Sequence, residues 1–169
     1  MTRIDDQGSV AAHIARFAEY IDSLDDHARP HIDDFDLMDI HRLARFIVVV
    51  DVLDRPPRLR CRFVGTSVVA MYGSDATGRD VENLFGDGDD ARELIRHYWE
   101  VARAGEPQFF ASHVMRPDEP DDPYIYERYL VPLRNEVGQV GQIATMIHRR
   151  TSSGRPIPLN YSALGWHGG

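Results

Sequence analysis

The stretch RLRCRFVGTSVVAMYGSDATGRDVENLF, residues 58–85, decides the fold of this chain. Its first part alternates arginines with Leu59, Cys61 and Phe63, which is the period-two pattern of a strand with one apolar face. Gly65 then stops the strand, and the threonine after it can cap the next turn with its hydroxyl group. The apolar run that follows is expected to lie back over the sheet. The stretch therefore predicts a strand and the first wall of a small pocket.

Two helices and one strand are predicted before this stretch. Residues Ser9 to Leu24 carry apolar side chains at i, i+4, i+7, i+11 and i+14, one stripe of a helix that must be buried on its own sheet or on a second subunit. A second helical segment is predicted from Asp33 to Ala44. The β-branched run Arg45 to Leu53 predicts a strand. Its inward side chains are expected to be Phe46, Val48, Val50 and Val52.

The rest of the chain predicts helices followed by three strands. Gly73 and Gly78 suit the left-handed ends of short helices. The predicted helices are Thr66 to Tyr72, Arg79 to Leu84 and Ala91 to Ala104, and the predicted strands are Gln108 to Met115, Tyr124 to Leu133 and Val140 to His148. This order indicates an α+β layer fold with helices on one face of a sheet, and the hairpins at either end are expected to pair antiparallel.

The composition limits the class of protein. The chain has 169 residues, about the size of one domain, and its net charge of −8 disfavours nonspecific binding to nucleic acid. No apolar stretch is long enough to span a bilayer, and the first residues lack the pattern of a secretory signal, so a cytoplasmic location without a membrane partner is expected. Cys61 is the single cysteine, which excludes an internal disulfide. The chain contains no lysine.

No catalytic motif is found in the sequence. It holds no Gly-x-Ser-x-Gly elbow, H-E-x-x-H, Walker or dinucleotide-binding motif, so a non-enzymatic protein without catalytic residues is expected. The acidic residues Asp87, Asp89 and Asp90 are interpreted as a solvated loop, and no metal site is predicted. The basic ladder Arg58, Arg60 and Arg62 can pair with acids across the sheet or dock an acidic partner.

Three motifs resemble a known family. The run Arg60–Thr66 resembles the R-x-R-hydrophobic-x-G-T of a group of small bacterial single-PAS proteins, Gly73–Arg79 resembles the G-x-x-x-T-G-R that follows there, and Val131–Leu133 resembles its Pro-Leu. The resemblance covers about Asp33 to His148. It implies a PAS domain, a five-stranded antiparallel sheet with helices on one face, whose middle helices close a small cavity. The turn after Leu133 is one residue longer than in that pattern.

This resemblance gives the expected domain organisation. An N-terminal flanking helix is expected in residues 1–32, a PAS-like domain in residues 33–150 and a flexible tail in residues 151–169. In PAS proteins such flanking helices often mediate dimers, which implies a homodimer through the N-terminal helix.

The candidate ligand-binding residues lie along the inward faces of the helices and strands. They are Tyr72, His97, Tyr98, Phe110, His113 and Tyr126. The sequence does not decide which side chains of these strands face inward. Phe109 is therefore an alternative to Phe110, and Tyr124 or Tyr129 is an alternative to Tyr126. Aromatic side chains with a few polar groups are typical of small-molecule sites, although they can equally fill a core.

The leading hypothesis is a sensory or regulatory PAS domain that binds a small molecule or a signalling protein. No cofactor is predicted. One alternative is a haem-binding gas or redox sensor that uses His97, since haem-binding PAS domains commonly take their axial ligand from this helix. The other is a purely structural dimerisation module with a filled core.

Overall fold

The computed structural model describes residues 12–114 and 120–154. Its helices, short 3-10 helices and strands follow in chain order: α1 (Ala12–Asp22), a 3-10 helix (Ile32–Asp34), α2 (His41–Ala44), β1 (Ile47–Asp54), β2 (Pro57–Val64), α3 (Thr66–Tyr72), a second 3-10 helix (Val81–Asn83), α4 (Asp89–Ala104), β3 (Gln108–Val114), β4 (Tyr124–Arg134) and β5 (Val140–Thr151). None of the helices among these residues is long and apolar enough to cross a membrane.

The strands form one five-stranded sheet in the order β2-β1-β5-β4-β3. Every neighbouring pair is antiparallel. The hairpins β1–β2, β3–β4 and β4–β5 join neighbours in sequence, while β1 also pairs with the last strand. This topology confirms the predicted α+β fold with a five-stranded antiparallel sheet.

Both faces of the sheet are covered. On the inner face, α3, the second 3-10 helix and α4 pack on one apolar cluster, to which β1 contributes Val48 and Val50. On the outer face, α1 packs on a second cluster, to which β1 contributes Ile47 and Val49. Because β1 is buried on both faces, it reads as a continuous apolar run. Phe46, predicted to face inward, packs on the outer cluster because it lies just before the strand begins.

The apolar stripe of α1 is buried on the chain's own sheet. Ile14, Phe17 and Ile21 are at most 1% exposed and belong to the outer cluster. The sequence left open whether this stripe packs on the sheet of its own chain or on a second subunit. The structure shows that it packs on the sheet of its own chain. The predicted start of the helix at Ser9 lies outside the described residues.

The end of β2 is fixed by a close approach of two backbone segments. A Cβ atom on Gly65 would lie 2.5 Å from the carbonyl carbon of Arg45, and closer still to the carbonyl oxygens of Ala44 and Arg45. The amide of Gly65 donates to the carbonyl of Ile47 at 2.8 Å, and the amide of Ser67 donates to that of Arg45 at 2.9 Å. Only glycine leaves room for this contact. Gly65 is itself the N-cap of α3 and no side chain caps the helix, so the predicted cap by Thr66 is wrong.

Two irregularities in the sheet change which side chains face inward. The pairing of β1 with β2 shifts between Val49 and Val50, so that Arg62 is the extra residue of a bulge. After the bulge the parity reverses, and Phe63 packs on the outer cluster instead of the predicted inner face. A second shift in the β4–β5 pairing leaves Gly141 without an opposite residue. This bulge accommodates the extra residue that the sequence shows in the turn after Leu133.

The helix predicted from Asp33 to Ala44 is largely absent. The segment holds the first 3-10 helix and the four-residue α2. Side chains compete with helical hydrogen bonds here: the hydroxyl of Tyr20 accepts from the amide of Asp36 at 3.0 Å, and the carboxylate of Asp36 accepts from the amide of Met38 at 2.8 Å.

The helix predicted from Arg79 to Leu84 is only the 3-10 helix Val81–Asn83, and the remaining boundaries agree closely with the sequence prediction. β5 extends to Thr151, beyond the predicted end at His148, and α4 begins at Asp89 instead of Ala91. Gly73 and Gly78 have the left-handed φ angles of 83° and 82° that were predicted for them. The tail from residue 155 and the end of the predicted third strand at Met115 lie outside the described residues.

Candidate functional site

A small cavity lies between the inner face of the sheet and the helices that cover it. Its volume is about 20 Å³, close to the space that one water molecule occupies. Of the residues predicted to bind a ligand, Tyr72, Tyr98 and Tyr126 line it. The other lining residues are Val48, Val50, Cys61, Val81, Leu84, Phe85, Leu94 and Ile147. The cavity is thus apolar apart from tyrosine hydroxyls and one thiol.

Two buried tyrosines meet inside this cavity. The hydroxyls of Tyr72 on α3 and Tyr126 on β4 are 2.6 Å apart and hydrogen-bonded. Burial raises the pKa of both phenols, so both stay protonated at neutral pH. This hydrogen bond joins the helix that covers the cavity to a central strand.

A second polar cluster adjoins the tyrosines. The His97 ring on α4 stacks on Phe110 of β3, with ring centroids 3.9 Å apart and an interplanar angle of 15°. Nη2 of Arg128 on β4 lies 2.8 Å from Nδ1 of His97. Since a guanidinium can only donate, Nδ1 accepts this hydrogen bond.

His97 is neutral at physiological pH. Desolvation, followed by the positive charges of Arg128 and Arg96, lowers its pKa to about 4. The ring is 5% exposed. It therefore serves as an uncharged acceptor for a buried cation.

Arg128 is the residue that the sequence analysis missed. It is 1% exposed, although arginine is rarely buried without a charged partner. The alternation of β4 could have revealed that Arg128 is buried. Tyr126 and Leu130, two residues before and after it, both belong to the inner cluster. With the parity of this strand fixed, an arginine at position 128 is directed into the core.

His113 does not lie at the cavity. It is exposed on β3, between the inward-facing Ser112 and Val114. The prediction that it lines the pocket is corrected, because the strand parity that brings Phe110 inward turns His113 outward.

The geometry around His97 does not fit an axial haem ligand. Nδ1 is hydrogen-bonded to a cation, and Nε2 lies 3.3 Å from Nη2 of Arg96 and 3.6 Å from a carboxylate oxygen of Glu93. The adjoining cavity is far smaller than a macrocycle. Haem is therefore not part of the function proposed below.

The contacts of Cys61 and of the basic ladder are those of residues that stabilise the fold. Cys61 is 2% exposed, and burial raises its pKa to about 12, as expected for a small apolar core residue. Arg60 pairs with Asp80 at 3.0 Å, and Arg58 lies 3.6 Å from the same carboxylate.

The last arginine of the ladder, Arg62, pairs with Asp51 at 2.6 Å. All three arginines thus follow the interpretation in which they pair with acids.

In the acidic loop Asp89 pairs with Arg92 at 2.9 Å. Within residues 12–114 and 120–154, no group of three or more metal-ligating side chains is close enough together to hold an ion.

The sequence of residues 57–155 matches the protein family described as PAS fold. The match spans more than half of the chain, so the chain belongs to this family. The particular group of bacterial single-PAS proteins suggested by the motifs is not tested by this match. No curated protein matches the chain.

Solved structures of light-oxygen-voltage domains are similar to this chain, and the first of them shares its fold. A domain studied with a flavin analogue is 16% identical, with 71% of this chain and 88% of that chain covered and a TM-score of 0.51. The blue-light photoreceptor Aureochrome1 domain in its dark state is 14% identical, covering 70% and 86%, with a TM-score of 0.49. The light-oxygen-voltage protein of Rhodobacter sphaeroides is 15% identical, covering 71% of each chain, with a TM-score of 0.48. At these identities only the fold is shown.

Proposed function

We propose that this PAS-fold chain is a non-enzymatic sensory or regulatory module that binds a small molecule between α4 and the inner face of its sheet. The fold is typical of sensory signal-transduction modules. The observation that supports ligand binding is the buried polar cluster of His97, Arg128, Tyr126 and Tyr72 within an otherwise apolar core. Within this cluster Nη1 and Nε of Arg128 are buried without a hydrogen-bond partner, and such groups are rare in cores that serve packing alone.

Ligand entry requires the covering helices to move. Small-molecule sites usually enclose roughly 300–1,000 Å³, whereas the inner cavity measures about 20 Å³. In the segment that covers it, the loop after α3 lies between Gly73 and Gly78, both in the left-handed conformation. A ligand that binds only the opened conformation shifts the population toward it. This shift is the proposed sensory event.

The N-terminal helix is the proposed output. β4 separates the two clusters, with Arg128 on its inner face and Glu127 on its outer face. Glu127 is 5% exposed and interacts electrostatically with His13 of α1. A ligand that moves Arg128 would therefore also move the surface on which α1 is docked. The proposed receiver is a signalling protein or a second copy of the chain that contacts this helix.

A homodimer through α1 would have to use its outer face. Ile14, Phe17 and Ile21 are already buried on the sheet of the same chain. The outer face carries the exposed side chains of Ala12, Arg16 and Glu19. A dimer formed there would be polar, and release of the helix would be needed for an apolar interface.

A second candidate is a structural module whose core is simply filled. The small volume of the cavity favours it. The two candidates differ in one measurable property, which is whether any small molecule binds to the folded chain.

The test is a thermal-shift screen of the purified, extensively dialysed protein against a chemically mixed metabolite panel, with hits confirmed by native mass spectrometry. We expect at least one compound to raise the midpoint in a saturable way. Binding of that compound should also change amide exchange in α1 (Ala12–Asp22). A panel without a single saturable hit would leave the structural module as the better account.

A further inference from the structure

The side chain of Arg128 presents a positive charge to the interior of the protein. The alternation of β4 places Tyr126, Arg128 and Leu130 on the inner face. A guanidinium stays protonated at any physiological pH, so burial cannot neutralise it as it does a lysine. A buried charge without a counter-charge is strongly unfavourable.

The contacts of Arg128 do not supply that counter-charge. Nη2 donates to the neutral ring of His97 at 2.8 Å. The guanidinium carbon lies 5.1 Å from the ring centroid of Tyr126 and 5.9 Å from that of Phe110. Nη1 and Nε are buried without any hydrogen-bond partner. Across residues 12–114 and 120–154, no carboxylate forms a salt bridge with Arg128.

A small second cavity lies directly at this group. It measures about 10 Å³ and is lined by the apolar side chains of Leu94 and Val114 as well as by Ser112, Tyr126 and Arg128. Tyr126 and Leu94 also line the first cavity of about 20 Å³. The two spaces are therefore separated only by side chains, and a modest rearrangement would join them.

We propose that the ligand of this module is a small organic monoanion, a short-chain carboxylate whose oxygen accepts hydrogen bonds from the free N–H groups of Arg128. This proposal rests on the function proposed above and assigns its ligand class. The carboxylate supplies the negative charge that Arg128 lacks. Its charge-assisted hydrogen bonds to the guanidinium are the strongest that this site can make. Its alkyl part contacts Leu94 and Val114. A cavity of about 10 Å³ has room for about one water molecule, so even a short-chain carboxylate enters only when the covering helices move.

Two acidic residues, Asp90 and Glu93, also border this cavity. Glu93 is the alternative counter-charge, because its carboxylate lies 3.6 Å from Nε2 of His97 and its side chain is 46% exposed. If Glu93 turned inward it would neutralise Arg128 without a ligand. If it stays outside, its negative charge opposes entry of an anion. Removing this charge therefore has different consequences for the stability of the ligand-free protein under the two explanations.

The test compares acetate with acetamide, its neutral relative of similar shape, in carboxylate-free buffer at constant ionic strength adjusted with sodium chloride. We expect saturable binding of acetate to the wild-type chain, at least about tenfold tighter than acetamide, as measured by calorimetry or thermal shift. Arg128→Met should weaken acetate binding by at least about tenfold. Arg92→Met removes an exposed arginine of the same helix that pairs with Asp89 at 2.9 Å, and it is the matched control, which should keep the preference for acetate.

The urea midpoint of the ligand-free variant Glu93→Gln separates the two explanations. Loss of a counter-charge to a buried Arg128 would lower it strongly, whereas the proposal predicts a nearly unchanged midpoint because the carboxylate is half exposed. The proposal predicts unchanged or tighter acetate binding, because a repulsive charge has been removed. Loss of binding in Glu93→Gln would overturn the proposal. Equal binding of acetate and acetamide would overturn it as well, as would an acetate effect that chloride alone reproduces.

A measurement on the wild type keeps the test independent of how the variants fold. In protein labelled with ¹⁵N-arginine, the Nε–H resonance of Arg128 should shift during titration with acetate and not with acetamide. No shift at saturating acetate would contradict the proposal. Binding of neutral metabolites alone would refute the anion assignment and leave the sensory function intact, whereas the absence of any ligand would refute both.

Discussion

The substitution Gly65→Ala tests whether the close backbone contact at the end of β2 holds the cover of the cavity in place. The φ angle of Gly65 is −64°, which any residue adopts, so the expected effect is purely steric. The added Cβ would lie 2.5 Å from the carbonyl carbon of Arg45, and Cβ contacts under 3.0 Å are essentially never observed. The two backbone segments must therefore separate.

The cost of this separation can be worked out from the contacts. Two hydrogen bonds cross the junction, from Gly65 to Ile47 at 2.8 Å and from Ser67 to Arg45 at 2.9 Å. Their loss costs about 1 kcal/mol each, and overpacking adds about 1–3 kcal/mol. Gly65→Ala should thus lower the free energy of unfolding by about 3–5 kcal/mol, a large part of the about 5–15 kcal/mol of an ordinary domain.

Urea denaturation followed by circular dichroism measures this loss. Gly73→Ala is the matched control, because Gly73 has a φ of 83° but nothing within 4 Å of the added Cβ. That substitution should cost only about 1–2 kcal/mol, through backbone strain alone. If Gly65→Ala is no more destabilising than Gly73→Ala, the close approach does not control the junction and the reasoning is refuted.

Three further predictions concern buried polar and titratable groups. Tyr126→Phe removes the 2.6 Å hydrogen bond to Tyr72 and should destabilise the protein by about 1 kcal/mol in urea melts; an unchanged midpoint would argue against that bond. Cys61, with its pKa raised to about 12 by burial, should not react with a thiol reagent in the native protein but should react at once in denaturant, and rapid native labelling would contradict its burial. Desolvation, with contributions from His13 and Arg150, lowers the pKa of His148 to about 4, so the unfolded chain binds the proton more readily than the native one. Its contribution to stability is complete above the unfolded pKa of about 6.5 and is lost as the pH falls toward 4. The difference between wild type and His148→Gln, measured by denaturation across this range, should show that slope, and a constant difference would refute it.

The order of strands and helices could be predicted from the sequence because each element has a strong local pattern. The period-two run before Gly65 and the β-branched run of β1 specify strands by their side chains alone. The glycines at positions 73 and 78 mark helix ends for a steric reason that needs no tertiary information. These local signals were sufficient for the sheet and for its antiparallel pairing.

What the sequence could not give depends on tertiary contacts. The bulge at Arg62 reverses the parity of Phe63, and no local pattern marks it. The face on which α1 packs is chosen by the surface that the sheet leaves uncovered, not by the helix. Arg128 was missed for the same reason, since an arginine within an apolar alternation reads as a surface residue until the inward face of β4 is known.

The way the chain covers one edge of its sheet limits how it can associate with other proteins. The segment after α3 hydrogen-bonds along the free side of β2, with the amide of Cys61 donating to Arg79 at 2.9 Å and the amide of Gly78 donating to Cys61 at 2.7 Å. Part of the backbone of that strand is therefore unavailable to a foreign strand. At the opposite edge, no strand of the described residues pairs with the far side of β3. A complex built by extending the sheet at β3 would lie next to the rings of Phe110 and His97, so that assembly and occupancy of the interior would be coupled through a shared strand.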